Sequence, residues 1–294
     1  MNPEPLWNTF ATMRLEYGIG LLFCLLAFGS NAQVFRGQHA NFQSDRLDFN
    51  ESYIRENRIS FVRVSYQNKA PGRPLKDLPD YDEYYFDAQG RLLQLKSVRT
   101  VDIRDIGTSS DTTVIVNRYD GKLLVSQSTR DKLGEYLQEW QYDSAGRCIS
   151  MRIYRNDVVI TSETAEWKGN RCRWYNGEGR PYRDEWEEAD SLGFVAKRCV
   201  LLLVGDRLSE FRYSYDTRAR VTEIAENRPD GVVIRFVFTY SEPGELLQVQ
   251  IWRNDAVRNE IEVLYNKGLP EAFIIREPDT NFMRIGKFEV KRNL

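Results

Sequence analysis

Along most of the chain, apolar and polar residues alternate with a period of two. Phe211, Tyr213 and Tyr215 share one parity, with Arg212 and Ser214 between them. Ile234, Phe236, Phe238 and Tyr240 repeat the arrangement, as do Ile261, Val263 and Tyr265. Side chains two apart in a strand point the same way, so each set predicts a strand with a column of rings on one face. Leu247, Val249 and Ile251 are expected to share a face opposite Leu246, Gln248 and Gln250. Ile149, Met151 and Ile153 likewise oppose Cys148, Ser150 and Arg152. Helical periodicity is nearly absent, so the expected fold class is all-β.

Between paired strands a motif returns: an aromatic residue, an acid, a short turn ending in Gly, a basic residue and an apolar pair. It reads Phe86-Asp87-Ala88-Gln89-Gly90-Arg91-Leu92-Leu93, then Tyr119-Asp120-Gly121-Lys122, then Tyr142-Asp143-Ser144-Ala145-Gly146-Arg147. A degenerate Trp167-Lys168-Gly169 and an Ala189-Asp190-Ser191-Leu192-Gly193 that lacks the ring follow. Tyr215-Asp216, Tyr240-Ser241 and Tyr265-Asn266 complete the set, and the anchors are spaced 33, 23, 25, 22, 26, 25 and 25 residues apart. Asp bonds its own backbone and Gly accepts a positive φ, so each motif predicts a β-hairpin. The far ends repeat too, since Ile153-Tyr154-Arg155-Asn156-Asp157 returns 98 residues later as Ile251-Trp252-Arg253-Asn254-Asp255. A fixed period of about 25 residues marks a repeat architecture. The expectation is an antiparallel β-hairpin array over residues 58–294, an elongated or curled single sheet of about 16 strands.

The segment before the array reads differently. Arg14 precedes the apolar run from Ile19 to Phe28, and Ser30-Asn31-Ala32 offers small residues at a cleavage site. Residues 1–32 are therefore expected to be a signal peptide, with translation starting at Met13 and the mature chain at Gln33. The run is too short for a membrane helix. Phe23, where a small residue is required, argues against lipidation at Cys24. Residues 33–57 form an arm, with a short helix over 49–57 capped by Asp48, three residues before Glu51. A strand is expected at Arg58–Gln67, a proline-rich loop over Asn68–Asp80 and a closing strand over Asn281–Val290.

With 41% apolar and 29% charged residues in 294, the chain has the composition of a folded, water-compatible protein. A net charge of −2, with signs interleaved, gives no footprint for nucleic acid. Three cysteines follow the signal, so one at least is unpaired. Cys148 and Cys172 follow turns in consecutive repeats, with one strand between them, too far apart for a disulfide.

The motifs at Phe86–Leu93, Tyr142–Arg147 and Tyr215–Val221 carry a family resemblance. The Tyr-Asp-x-x-Gly-Arg-Leu pattern resembles the YD repeats of bacterial Rhs-type secreted proteins. The resemblance spans roughly residues 58–280 and implies curled antiparallel sheets at the cell surface. Large members of that family enclose a C-terminal toxin. This chain shows neither the core segment that precedes the toxin nor the toxin, and is expected to be too short to form a closed shell.

Candidate chemistry is sparse. The single histidine, His39, lies in a polar arm, a poor place to hold a general base. No spacing specifies a zinc site or a phosphate loop. Acids crowd at Asp77, Asp80, Asp82 and Glu83, and again at Asp184, Glu185, Glu187, Glu188 and Asp190. Solvated turns explain them better than a glycosidase pair or a calcium cage. The regular ring column is expected to be core. Tyr154, Trp174, Tyr175 and Trp252 lie off the anchor position and are the candidate ligand-binding residues.

The reading is an exported, non-enzymatic β-repeat protein of the periplasm, cell surface or extracellular space. It would act as a cell-envelope binding or scaffold surface with no cofactor and no metal, for a glycan or an envelope protein. The alternatives are an outer-membrane β-barrel and a secreted carbohydrate-active enzyme using paired carboxylates. Against the barrel stand strands such as Val257–Val263, charged on one face and polar on the other, where lipid requires an apolar band.

Overall fold

The computed structural model describes residues 47–103 and 107–293; the expected signal peptide and His39 lie outside them. One short helix, α1 (Glu51–Glu56), precedes eighteen strands. These are β1 (Ile59–Lys69), β2 (Lys76–Phe86), β3 (Leu92–Ile103), β4 (Gly107–Asp120), β5 (Leu123–Asp131) and β6 (Gly134–Tyr142). Next come β7 (Cys148–Arg155), β8 (Val158–Lys168), β9 (Arg171–Tyr175), β10 (Pro181–Ala189), β11 (Val195–Leu202) and β12 (Arg207–Tyr215). The last six are β13 (Val221–Asn227), β14 (Val233–Tyr240), β15 (Leu246–Arg253), β16 (Ala256–Asn266), β17 (Leu269–Glu277) and β18 (Phe282–Arg292).

Each strand pairs antiparallel with the next, and β18 pairs back with β1, from Ile59 opposite Arg292 to Lys69 opposite Met283. The sheet is therefore a closed barrel of eighteen strands. The open or curled single sheet of about 16 strands is corrected on both counts. The strands expected at either end of the repeats, β1 and β18, find each other, and closure satisfies backbone groups that an open array would leave at two edges.

The hairpin device explains the repeat. Asp87 Oδ1 accepts from the backbone N–H of Gln89 and Arg91, both at 2.9 Å, and Oδ2 accepts from Arg91 Nε at 2.7 Å. Asp143 with Arg147 and Asp216 with Arg220 repeat the contacts. The arginine then lies over the next anchor ring: Arg91 over Tyr119 at 4.7 Å, Arg147 over Trp167 at 5.5 Å and Arg220 over Tyr240 at 4.7 Å. The tyrosine and tryptophan anchors also donate to a carbonyl at the start of the preceding hairpin's second strand. Tyr119 reaches Leu92 at 3.1 Å, Tyr142 reaches Leu124 at 2.8 Å, Trp167 reaches Cys148 at 2.9 Å and Tyr240 reaches Val221 at 2.6 Å. Turn, cation and ring thus tie one hairpin to the next, with each hydrogen bond contributing about 1 kcal/mol.

The apolar pair after the turn has two different members. At Tyr85/Phe86, Gln141/Tyr142 and Thr239/Tyr240 the register slips by one, so the second residue of the pair is a bulge. Leu246 and Cys148 are buried while Leu247 is 39% exposed. This corrects the expected faces: Leu246 joins Val249 and Ile251, and Cys148 joins Met151, because a bulge resets the parity of everything before it.

The inner wall follows from these registers, since directly opposed residues share a face. Val62, Val64, Tyr84, Leu95, Ile115, Ile224, Phe236, Val249, Ile261 and Phe273 face inward in one apolar cluster. A second cluster joins Trp140, Cys148, Met151, Ala165, Cys172 and Trp174. Helix α1 covers one barrel end and contributes Tyr53 and Ile54 to the first cluster, which Phe49, just before the helix cap, also joins. Tyr53 donates to the Gly268 carbonyl at 2.5 Å in the β16–β17 turn. Gly90, in the β2–β3 turn, lies so close to the Glu51 carbonyl that a Cβ there would collide with it. The helix is shorter than expected and its cap is Asn50, not Asp48: Asn50 Oδ1 accepts from Ser52 N at 3.0 Å.

Two further expectations meet the structure. The long loop over 68–80 is corrected, because β2 already begins at Lys76. Pro79 is tolerated where Tyr81 opposes Ser65 and Asp77 opposes Gln67, an irregular stretch that needs no N–H from it. Cys148 and Cys172 are both free, on β7 and β9 with β8 between them. Burial pushes their thiols up to about 11 and about 12.

Candidate binding groove on the outer face

The outer face is polar around the ring. Arg63 on β1, Glu83 on β2, Lys96 on β3, Arg152 on β7, Glu166 on β8, Lys197 on β11, Arg235 on β14, Glu260 on β16 and Arg276 on β17 all have outward parity. Several pair across strands, as Lys197 does with Glu210 at 3.2 Å and Arg276 with Glu260 at 3.9 Å. Exposed pairs of this kind contribute at most about 1 kcal/mol each, so they add little to stability.

On this face, across β18, β1 and β2, lies a groove of about 370 Å³ lined by Phe61, Arg63, Glu83, Tyr85, Glu289 and Lys291. That is the size of a small-ligand site. Two cross-strand rows line it and a third flanks it. Lys291, Phe61, Tyr85 and Gln94 form the first, Glu289, Arg63, Glu83 and Lys96 the second, and Lys287, Ser65, Tyr81 and Val98 the third. Phe61 and Tyr85 make a ring pair with centroids 5.1 Å apart. Lys291 sits over Phe61 at 4.8 Å and Arg63 over Tyr81 at 4.4 Å. Glu83 lies between two cations, Arg63 at 3.7 Å and Lys96 at 3.8 Å. Burial, then Glu83, pushes the Tyr85 hydroxyl up, and a hydrogen bond with Tyr81 holds Lys96 above the ordinary lysine value. Aromatic surface, fixed cations and a carboxylate thus meet on one rigid stretch of sheet.

The residues singled out from the sequence do not form a site together. Trp174 is 5% exposed on the inner wall, with Arg183 stacked at 4.9 Å. Its neighbour Tyr175 faces outward and donates to Glu166 at 2.7 Å. Tyr154 faces outward on β7, in a row with Leu137 and Val159. Trp252 lies on β15 beneath Arg235, 5.2 Å away. The groove residues were missed, yet one signal marks them: Tyr81 and Tyr85 have the parity opposite to the buried Tyr84 and Phe86, so they must face out.

The acidic clusters are divided between the two faces of the wall. Asp82 faces inward and pairs with Arg99 at 2.8 Å and with the Tyr66 hydroxyl. Asp184 faces outward, fully covered by Arg173 at 2.8 Å and Arg171 at 2.6 Å. The Arg173 bond holds its carboxyl below the usual carboxylate range. Glu185 faces inward between Arg183 and Arg198, at 2.9 and 2.8 Å. Among the described residues, no group of three His, Cys, Asp or Glu side chains is placed to hold a metal. No helix among them is long and apolar enough to cross a membrane.

The sequence matches no family model and no curated protein. Among solved structures the chain is similar to a porin-like protein from Bacteroides uniformis, at 7% identity and TM-score 0.45, covering 80% of this chain and 97% of that one. It is also similar to a DUF1329 family protein from Desulfovibrio piger, at 7% identity and TM-score 0.24 over 83% and 89% of the two chains. A LolA superfamily protein from Nitrosomonas europaea is a third, at 9% identity and TM-score 0.17 over 81% and 88%. All three scores lie below 0.5, so the closed ring rests on its own strand register and the function on its own surfaces.

Proposed function

We propose that this chain is an exported, water-facing β-barrel of YD-type hairpins that acts through its outer surface as a non-enzymatic binding protein of the cell envelope. One observation carries the reading: charged side chains stand on the outer face of strands all around the ring. A lipid-embedded barrel needs the opposite, an apolar outer band about 25 Å tall. Outward arginine or lysine at mid-bilayer depth costs about 2–4 kcal/mol each, and Arg63, Lys96, Arg152, Lys197, Arg235 and Arg276 are only some of those present. The inside is equally unlike a water channel, since Val64, Tyr84, Val249 and Ile261 are fully buried. For binding, the groove supplies an exposed aromatic pair among paired charges.

The second reading is an outer-membrane barrel, favoured by the closed, even-numbered antiparallel ring. Partition separates the two. Expressed with its leader, the protein is expected in the soluble envelope fraction and monodisperse without detergent. Recovery only in detergent, with flotation alongside lipid vesicles, would overturn the water-facing reading in favour of the membrane one.

A further inference from the structure

We infer that the groove on β18, β1 and β2 binds an acidic saccharide, a glycan bearing uronate or sulfate groups. The inference rests on the water-facing reading, because the groove opens on the outer wall. The argument begins with charge. The lining itself is balanced, Arg63 and Lys291 against Glu83 and Glu289; with the flanking Lys96 and Lys287 the three rows hold four cations against two carboxylates. The middle row compensates itself by alternation: Glu289, Arg63, Glu83, Lys96. The surplus falls on Lys291 and Lys287, one on each side of that row. Lys291 is 63% exposed, and its neighbouring carboxylate, Glu289, is 3.5 Å away and 59% exposed, so water screens the pair and leaves the ammonium available to an anion.

The rings supply the second half. Tyr85 is 37% exposed although it stands beside the buried anchor Phe86, and its ring meets that of Phe61 at 60°. The pair is a partly exposed aromatic step, open at Tyr85 and capped by Lys291 at Phe61, held by a sheet and needing no ordering on binding. Alternate residues of one strand are about 6.8 Å apart, so the rows bring an anion-binding cation within a sugar unit's length of the stacking surface. A neutral glycan would use the rings and leave the surplus cations idle, and an acidic peptide would use the cations and leave the rings idle. An acidic saccharide uses both.

The test is calorimetric titration of the full chain with hexagalacturonate, with a chondroitin sulfate hexasaccharide, with fully methyl-esterified hexagalacturonate and with hexaglutamate. At least one of the two acidic saccharides is expected to bind saturably. The methyl ester and hexaglutamate should each bind at least tenfold more weakly than it. Tyr85→Ala should weaken saccharide binding at least tenfold. Lys291→Glu, at a position too exposed to disturb folding, should do so and also flatten the salt dependence. Binding of neither acidic saccharide by a chain that is monodisperse without detergent would overturn this inference and leave the water-facing barrel standing. Equal binding of the ester or of hexaglutamate would overturn the assignment to an acidic saccharide, as would an unchanged affinity in Lys291→Glu. A chain that requires detergent would remove the reading on which the inference rests.

Discussion

From β13 to β17 the inner wall is mostly hydrocarbon, carried by Ile224, Ile234, Phe236, Phe238, Val249, Ile251, Ile261, Val263 and Phe273. From β8 to β11 it carries Glu163, Arg183, Glu185, Glu187 and Arg198 beside Cys172 and Trp174. Both arcs are built from hairpins of one plan. The ionic arc coincides with the repeats in which the motif decays, at Trp167-Lys168-Gly169 and at Ala189. The contrast separates two roles that the repeat combines. Turn aspartate, stacked arginine and anchor ring fix the backbone from one hairpin to the next, and the inner wall varies provided its charges are paired. Each buried apolar side chain contributes about 1.5–3 kcal/mol, whereas a buried ion pair is close to neutral against hydrocarbon, so stability should be concentrated in the apolar arc.

That contrast can be broken by substitution. Ile261→Ala, at a fully buried position, should cost about 4 kcal/mol in chemical denaturation, near the upper end for cavity-forming changes. In the ionic arc Glu185→Gln should cost about 3 kcal/mol, because it removes the charge shared by the largely buried Arg183 and Arg198. A cost below about 1 kcal/mol there would mean that water enters this arc and that the two walls differ in hydration. The link between hairpins is probed by Tyr240→Phe, which removes the bond to the Val221 carbonyl and should cost about 1 kcal/mol in the same assay.

The smallest effect sharpens the comparison through pH. Burial pushes the Glu187 carboxyl up, with Arg198 acting in the opposite direction. The folded protein therefore holds this proton more tightly than the unfolded chain, whose carboxyl keeps the ordinary value of 4.5. This contribution to stability falls as pH rises above that value. Glu187→Gln should accordingly raise the melting temperature by a few degrees at pH 7, and the gain should close below about pH 4. A gain that persists at pH 4 would trace to packing instead of charge.

Much of this was legible in the sequence, residue by residue. The inward column at Ile234, Phe236 and Phe238 could be read because strand parity is strict between bulges. The turns could be read because Asp and Gly have specific backbone chemistry: Gly90 and Gly146 take φ of 85° and 77°. Leu247 and Ile149 were assigned to the wrong face because a bulge is one extra residue that leaves no mark in composition. Pro79 suggested a loop because proline's exclusion from strands lapses where the register breaks. Closure could not be read at all, since β1 and β18 carry no pattern naming each other. The groove falls between these cases. Its outward rings have a readable parity, but the row that joins Phe61 to Lys291 exists only once the ring has closed.

The pairing of β1 with β18 sets an order of events. The contact between Ile59 and Arg292 spans nearly the whole described chain, and Asn293 N donates to the Arg58 carbonyl at 2.8 Å. Neighbouring hairpins can form as soon as both of their strands are available, but this seam must wait for the final strand. Until then both flanks of a seventeen-strand ribbon are unsealed and the groove, which straddles the seam, does not exist. Completion of the fold and formation of the groove are thus a single late step, and a chain shortened by either terminal strand would lose both together.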